Sequence, residues 1–149
     1  MTAQAASFIV FSVGGTAFAL RSAEVQHMEM VEEVTRVPNA PPFVDGVVFS
    51  RGLVVPAVNL RVRFGFERTP YDLRTRLIVV RAQARSVGLV VDESREFIRI
   101  DPEAIQPPHA AVGGLGADYV DGIASIDGRL IVVLNLERLM SLTEPLLST

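Results

Sequence analysis

Apolar and polar positions along the chain fall into short runs of strand length. Residues 7–13 (SFIVFSV) are β-branched and aromatic, Gly14-Gly15 is a turn dipeptide, and 16–20 (TAFAL) alternates again. This predicts a first β-hairpin with Phe8, Val10, Phe18 and Leu20 in the core. Residues 77–80 (LIVV) and 87–91 (VGLVV) predict two buried strands joined by a polar turn over 82–86, and 94–100 (SREFIRI) predicts an alternating strand with Phe97 inward. Helical patterns are few. Ser22 is placed to cap one helical turn over 22–26, 60–66 reads as a short helix stopped by Gly65, and 136–142 has helical spacing before a C-terminus expected to fray. In 28–37 the β-branched content of the second half favours strand, and Pro38, Pro41 and Pro42 end it. Residues 101–118, rich in Pro and Gly, read as a connecting loop.

The longest pattern occurs twice. Residues 43–60, FVDGVVFSRGLVVPAVNL, align without a gap on 119–136, YVDGIASIDGRLIVVLNL, at an offset of 76 positions. Val44, Asp45, Gly46, Gly52, Asn59 and Leu60 match Val120, Asp121, Gly122, Gly128, Asn135 and Leu136. Between them Phe43 faces Tyr119, Val47 faces Ile123, Val55 faces Ile131 and Val58 faces Leu134, exchanges that keep hydrophobicity and volume. Each copy places Arg51-Gly52 or Asp127-Gly128 between two apolar segments, which predicts a hairpin with a primed turn. About ten short strands, few helices and a twofold repeat predict an all-β protein of two small barrels or sandwich halves.

Composition narrows the function. At 149 residues the chain fits one domain or two half-domains sharing a core. No uncharged apolar run approaches the ~20 residues of a membrane-spanning helix, and the N-terminus lacks the basic segment and long apolar core of a signal peptide. The absence of Cys fits a cytoplasmic protein. The net charge of -3 argues against a general nucleic-acid binder. Lysine is absent, which removes P-loop and Schiff-base chemistry. Seven of the 14 arginines lie between Arg61 and Arg85, a stretch that could dock an acidic partner but reads more simply as solvated loop and strand edge.

Catalytic constellations are thin. Asp45 and Asp121, equivalent in the repeat, could face each other as the paired carboxylates of an aspartic protease do. In such enzymes a hydroxyl residue follows the Asp, whereas Gly46 and Gly122 follow here, so paired turn entries explain them better. His27 and His109 stand far apart without thiol or spaced acidic ligands, and Glu29, Glu32 and Glu33 read as a solvated face. No metal or cofactor is expected. Asp92-Glu93 could be catalytic, but a strand end entering a turn explains it as well, and the glycine runs at Gly14 and Gly113 precede no convincing helix.

Several segments together carry a resemblance: FIVFSVGGTAFAL followed by VQHM, then TRVPNAPPFVDGVVFSRGLVVPAVNLRVRFG, VGLVVDESREF, IQPP and YVDGIASIDGRLIVVLNLERLM. Over nearly its whole length the chain resembles the CheW-like coupling proteins of bacterial chemotaxis. The resemblance implies a single domain of two SH3-like five-stranded half-barrels. It also implies a non-enzymatic adaptor between the cytoplasmic tips of chemoreceptors and a CheA-type histidine kinase. A groove between the half-barrels would take a receptor helix, at positions matching Val25, His27, Gly88, Val91, Asp92, Ser94 and Phe97. Arg51 and Gly52 match the family's Asn-Leu-Arg-Gly motif, tied to receptor and kinase coupling. Barrel core or turn chemistry is the alternative reading of these positions, and at least as good a one for Gly88 and Val91. Phe49-Ser50 replaces the usual Asn-Leu, Asn59 a common Asp, His27 a frequent acidic residue and Ser94 a usual Val. These departures imply a divergent array, such as one serving type IV pili. A small-molecule-binding β-barrel is the rival reading.

Overall fold

The computed structural model describes residues 6–82, 84–107 and 117–147. Among them are eleven strands: β1 (Ala6–Val13), β2 (Thr16–Arg21), β3 (Val25–Met30), β4 (Val44–Ser50), β5 (Leu53–Asn59), β6 (Arg76–Ala82), β7 (Arg85–Val91), β8 (Glu93–Ile100), β9 (Ile105–Gln106), β10 (Val120–Ile126) and β11 (Arg129–Leu134). Two α-helices, α1 (Leu60–Arg63) and α2 (Leu136–Leu147), follow the two repeated hairpins. The strands form a six-stranded sheet, β8-β1-β2-β11-β10-β9, and a five-stranded sheet, β3-β6-β7-β5-β4.

Local sequence accounts for the hairpins. Gly14-Gly15, Arg51-Gly52 and Asp127-Gly128 all have both residues at positive φ, the primed form whose twist matches that of the flanking strands. Gly46 and Gly122 serve a different end. A Cβ on Gly46 would lie 2.2 Å from the Thr35 carbonyl oxygen, and one on Gly122 2.2 Å from that of Gln106. At both places a neighbouring segment pairs with the hairpin, Thr35 with Val47 and Gln106 with Ile123.

Strand register extends the repeat over most of the chain. Hairpin β1–β2 superposes on β6–β7 at an offset of 69, so that Ile9 pairs with Leu20 as Ile78 pairs with Leu89. Strand β8 repeats β3 at the same offset, Phe97 opposite Ile9 as Met28 is opposite Ile78. The repeats also exchange hairpins. β1–β2 joins the sheet built from the C-terminal repeat, through β8 and β11, and β6–β7 joins the sheet of the N-terminal one, through β3 and β5.

Three cores result. Phe8, Val10, Ala19, Ile131 and Val133 fill the inner side of the six-stranded sheet, and Leu77, Val79, Val55 and Ala57 that of the five-stranded sheet. Ile9, Phe11, Leu20, Ile78, Val80, Leu89 and Val91 form a shared seam with Leu60, Leu136 and Met140 from the helices. The exchanged hairpins are therefore buried on both faces, which is why their strands read as unbroken apolar runs. Phe8, Val10, Phe18 and Leu20 are buried as expected.

Several local expectations are corrected. Ser22 begins a single 3-10 turn, Ser22–Glu24, but the cap position is Arg21 and no side chain caps it. The strand in the acidic stretch occupies its first half, β3, because pairing with β6 outweighs the β-branched residues that follow. The stretch after Ile100 contains a 3-10 turn, Pro102–Ala104, with Asp101 accepting from the Glu103 amide, and then β9. Helix α2 runs on to Leu147. Phe97 is 62 % exposed rather than inward.

Candidate functional site

The exposure of Phe97 has a local cause that recurs in β3. Strands β3 and β8 each carry a bulge, where the register shifts between Val25 and His27 and between Ser94 and Glu96. A bulge inserts one residue and reverses the alternation beyond it. Val25 opposes Val80 and Met28 opposes Ile78; Ser94 opposes Phe11 and Phe97 opposes Ile9. All four partners belong to the shared seam, and directly opposed residues share a sheet face. Val25, Met28, Ser94 and Phe97 thus lie on the seam side of the two edge strands, in pseudo-symmetric pairs. Phe97 is the most exposed of them, an unpacked aromatic ring on the seam face.

The other sequence candidates divide. His27 opposes Val79 and lies on the opposite face, toward the five-stranded core; Met28, missed in the sequence, takes the seam position. A strict period of two would put Val25 and His27 on one face, and the bulge at Gln26 separates them. Gly88 and Val91 are buried and do not line a surface. Gly88 is small because the Leu77 Cδ1 atom would lie 2.6 Å from a Cβ there, and Val91 belongs to the seam core.

Asp92 stands where the chain crosses from the five-stranded to the six-stranded sheet, and it is engaged internally. Its Oδ2 accepts from the Gly14 amide at 2.8 Å and from Arg61 Nη1 at 2.5 Å, while its own amide donates to the Ser12 carbonyl. The side chain links the β1–β2 turn, α1 and the β7–β8 corner.

Within the arginine-rich stretch, Arg68, Arg74, Arg81 and Arg85 are exposed, and several arginines are bonded within the fold. Arg63 donates to Thr143 Oγ1 and lies over the rings of Phe43 and Tyr119, the equivalent aromatics that open the two repeats. Arg68 pairs with Asp45, Arg74 with Asp72, and Arg76 donates to the carbonyls of Leu73 and Thr75. The two repeated aspartates lie in different sheets, each with its own asparagine: Asn59 Nδ2 donates to Asp45 at 2.9 Å and Asn135 Nδ2 to Asp121 at 3.0 Å. The same asparagines accept from the amides of Val62 and Arg138 at the helix starts. Asn59 is thus a helix cap and strand brace, which explains its place in the repeat without a partner. His109 lies outside the described residues.

Arg51 and Gly52 form the exposed tip of the β4–β5 hairpin. Apolar side chains surround them: Phe49, Leu53 and Val54 are all more than half exposed. Beneath the tip, Ser50 Oγ lies 2.7 Å from His27 Nε2 and donates to Glu29 Oε2 at 3.2 Å. Two positions singled out separately in the sequence, His27 and Ser50, therefore meet.

The geometry has counterparts. The family model described as CheW-like domain matches residues 7–144. The chain is 31% identical to the chemotaxis protein CheW of Klebsiella aerogenes over 137 residues, which cover 92% of this chain and 82% of that one. It is 28% identical to the protein FrzA of Myxococcus xanthus over 135 residues, 89% of this chain and 84% of that one. Among solved structures, the scaffolding protein TtCheW of Thermoanaerobacter tengcongensis matches with a TM-score of 0.83 at 29% identity, covering 94% of this chain and 93% of that one. On its two-sheet architecture, its sequence and these matches, the chain belongs to the CheW-like domain family.

Proposed function

We propose that the chain is a non-enzymatic chemotaxis adaptor, one domain of two half-barrels that couples chemoreceptors to a CheA-type histidine kinase at cytoplasmic, membrane-associated arrays. In this reading a receptor helix enters the seam mouth between β3 and β8, against Val25, Met28, Ser94 and Phe97. The kinase's regulatory domain meets the hairpin tip at Arg51-Gly52. The observation that carries the reading is Phe97, a large aromatic left 62 % exposed on the face of a sheet whose neighbouring residues are core. Exposed aromatics beside an apolar seam supply the anchors of helix-in-groove recognition. Asp92 acts by holding the corner from which β8 departs. No described helix is long and apolar enough to cross a membrane; in this reading the chain is held at an array by its protein partners. The similarity to FrzA allows for a divergent chemosensory pathway, and one serving type IV pili is part of this proposal.

The rival small-molecule barrel has less support, because aliphatic and aromatic side chains fill the inner side of both sheets. The test is capture of a CheA-type kinase and of a receptor signalling-tip fragment by purified chain. Phe97→Asp is expected to lose the receptor and keep the kinase, and Arg51→Ala to weaken the kinase at least tenfold, the usual effect of a hot-spot truncation being about 2 kcal/mol. Wild-type affinities in both folded variants would contradict the assignment of surfaces.

A further inference from the structure

The two repeated hairpins differ most at their tips. At the first turn residue, one presents Arg51 at φ 46° and the other Asp127 at φ 50°. Asp tolerates left-handed backbone through local hydrogen bonds; a long cationic side chain gains nothing there. Such strain persists where the surroundings over-determine the conformation. The preceding residue differs as well. Ile126 packs against the core of the six-stranded sheet, whereas Ser50 is a hydroxyl only 3 % exposed.

Ser50 is held by β3. His27 Nε2 lies 2.7 Å from Ser50 Oγ and 3.2 Å from Glu29 Oε2, which also accepts from Ser50, so the three side chains form one closed cluster. β3 and β4 are the opposite edges of the five-stranded sheet, and this cluster joins them directly below the turn. The matching tie in the other sheet, Glu96 to Arg129, is exposed and spares the residue before its turn. A hydrolytic triad is excluded by geometry: Ser50 and Glu29 meet the same imidazole nitrogen, whereas a triad needs the carboxylate on the other one.

We propose that Ser50 and His27 are positioning residues for Arg51. By fixing the strand end into the strained turn, they set the direction in which Arg51, Phe49 and Leu53 meet the partner. The unit is then a specificity determinant, since a different residue pair would aim the same arginine elsewhere. This rests on the adaptor reading, in which the Arg51 turn contacts the kinase.

The test combines amide hydrogen exchange with kinase titration for Ser50→Ala, His27→Ala, their double variant and His27→Gln. Loss of one buried hydrogen bond is expected to speed exchange at the amides of 51–53 and to weaken kinase binding, each about tenfold. The double variant should be no worse than either single one, and His27→Gln, which keeps a donor, should recover most of the loss. Adding Arg51→Ala to Ser50→Ala should cost less than Arg51→Ala alone. Unchanged turn exchange would overturn the proposal, as would additive losses or full kinase affinity in the single variants. If the wild-type chain captures no kinase, the adaptor reading fails on its own, and exchange at the turn still decides whether Ser50 and His27 position it.

Discussion

At the residue scale, several polar groups that the sequence offers as candidates are bonded within the fold. Asp92 illustrates the consequence for site assignment. If it acts by holding the β7–β8 corner, Arg61→Ala must reproduce Asp92→Asn. Each should cost about 1–3 kcal/mol in chemical denaturation, and the double variant little more than either alone. A receptor-binding defect in Asp92→Asn with none in Arg61→Ala would instead make Asp92 a direct contact. Glu24 gives a pH-dependent case. Burial raises its pKa above the ordinary 4.5, and the carboxylates of Asp121 and Glu137 add to this against the opposing Arg21. The folded chain thus holds this proton to higher pH than the unfolded chain, so the contribution to stability is present below the unfolded value and is lost as pH rises through the folded one. Glu24→Gln should raise the melting temperature at pH 7, and the gain should vanish below about pH 4. An equal gain at both pH values would show that the charge is irrelevant.

At the scale of elements, the paired hairpins could be read from sequence because their cues are local: a turn dipeptide, period-two alternation and a Gly. The bulges in the strands flanking them could not. The β3 and β8 bulges depend on pairing with β6 and β1, so a residue such as Phe97 was assigned its strand correctly and its environment wrongly. For the same reason Met28, and not His27, shares the seam face with Val25. Gly122 tests how far packing, rather than turn chemistry, fixes these glycines. Gly122→Ala must push against the Gln106 backbone, whereas a Cβ on Gly128 meets open space and costs only its positive φ. Gly122→Ala should therefore lose about 1–3 kcal/mol and free β9, seen as faster amide exchange at Ile105 and Gln106. Equal exchange in the two variants would contradict the packing account.

At the scale of the whole molecule, the repeat at an offset of 76 was visible as text, but the exchange of hairpins between the repeats was not. It is a long-range choice, written only in which strand faces bury against which. Its functional consequence is that the edge strands of both sheets present corresponding residues along one seam, while Arg63 ties together the aromatics that open the repeats. The surfaces proposed for kinase and receptor then belong to one packed domain. The most direct test of that claim is bridging: sedimentation of a CheA-type kinase and a receptor tip fragment, with and without this chain. The account predicts a ternary complex only when the chain is present, reduced to the kinase pair by Phe97→Asp. A kinase and receptor fragment that co-sediment equally well without the chain, or a chain that binds one only by excluding the other, would contradict it.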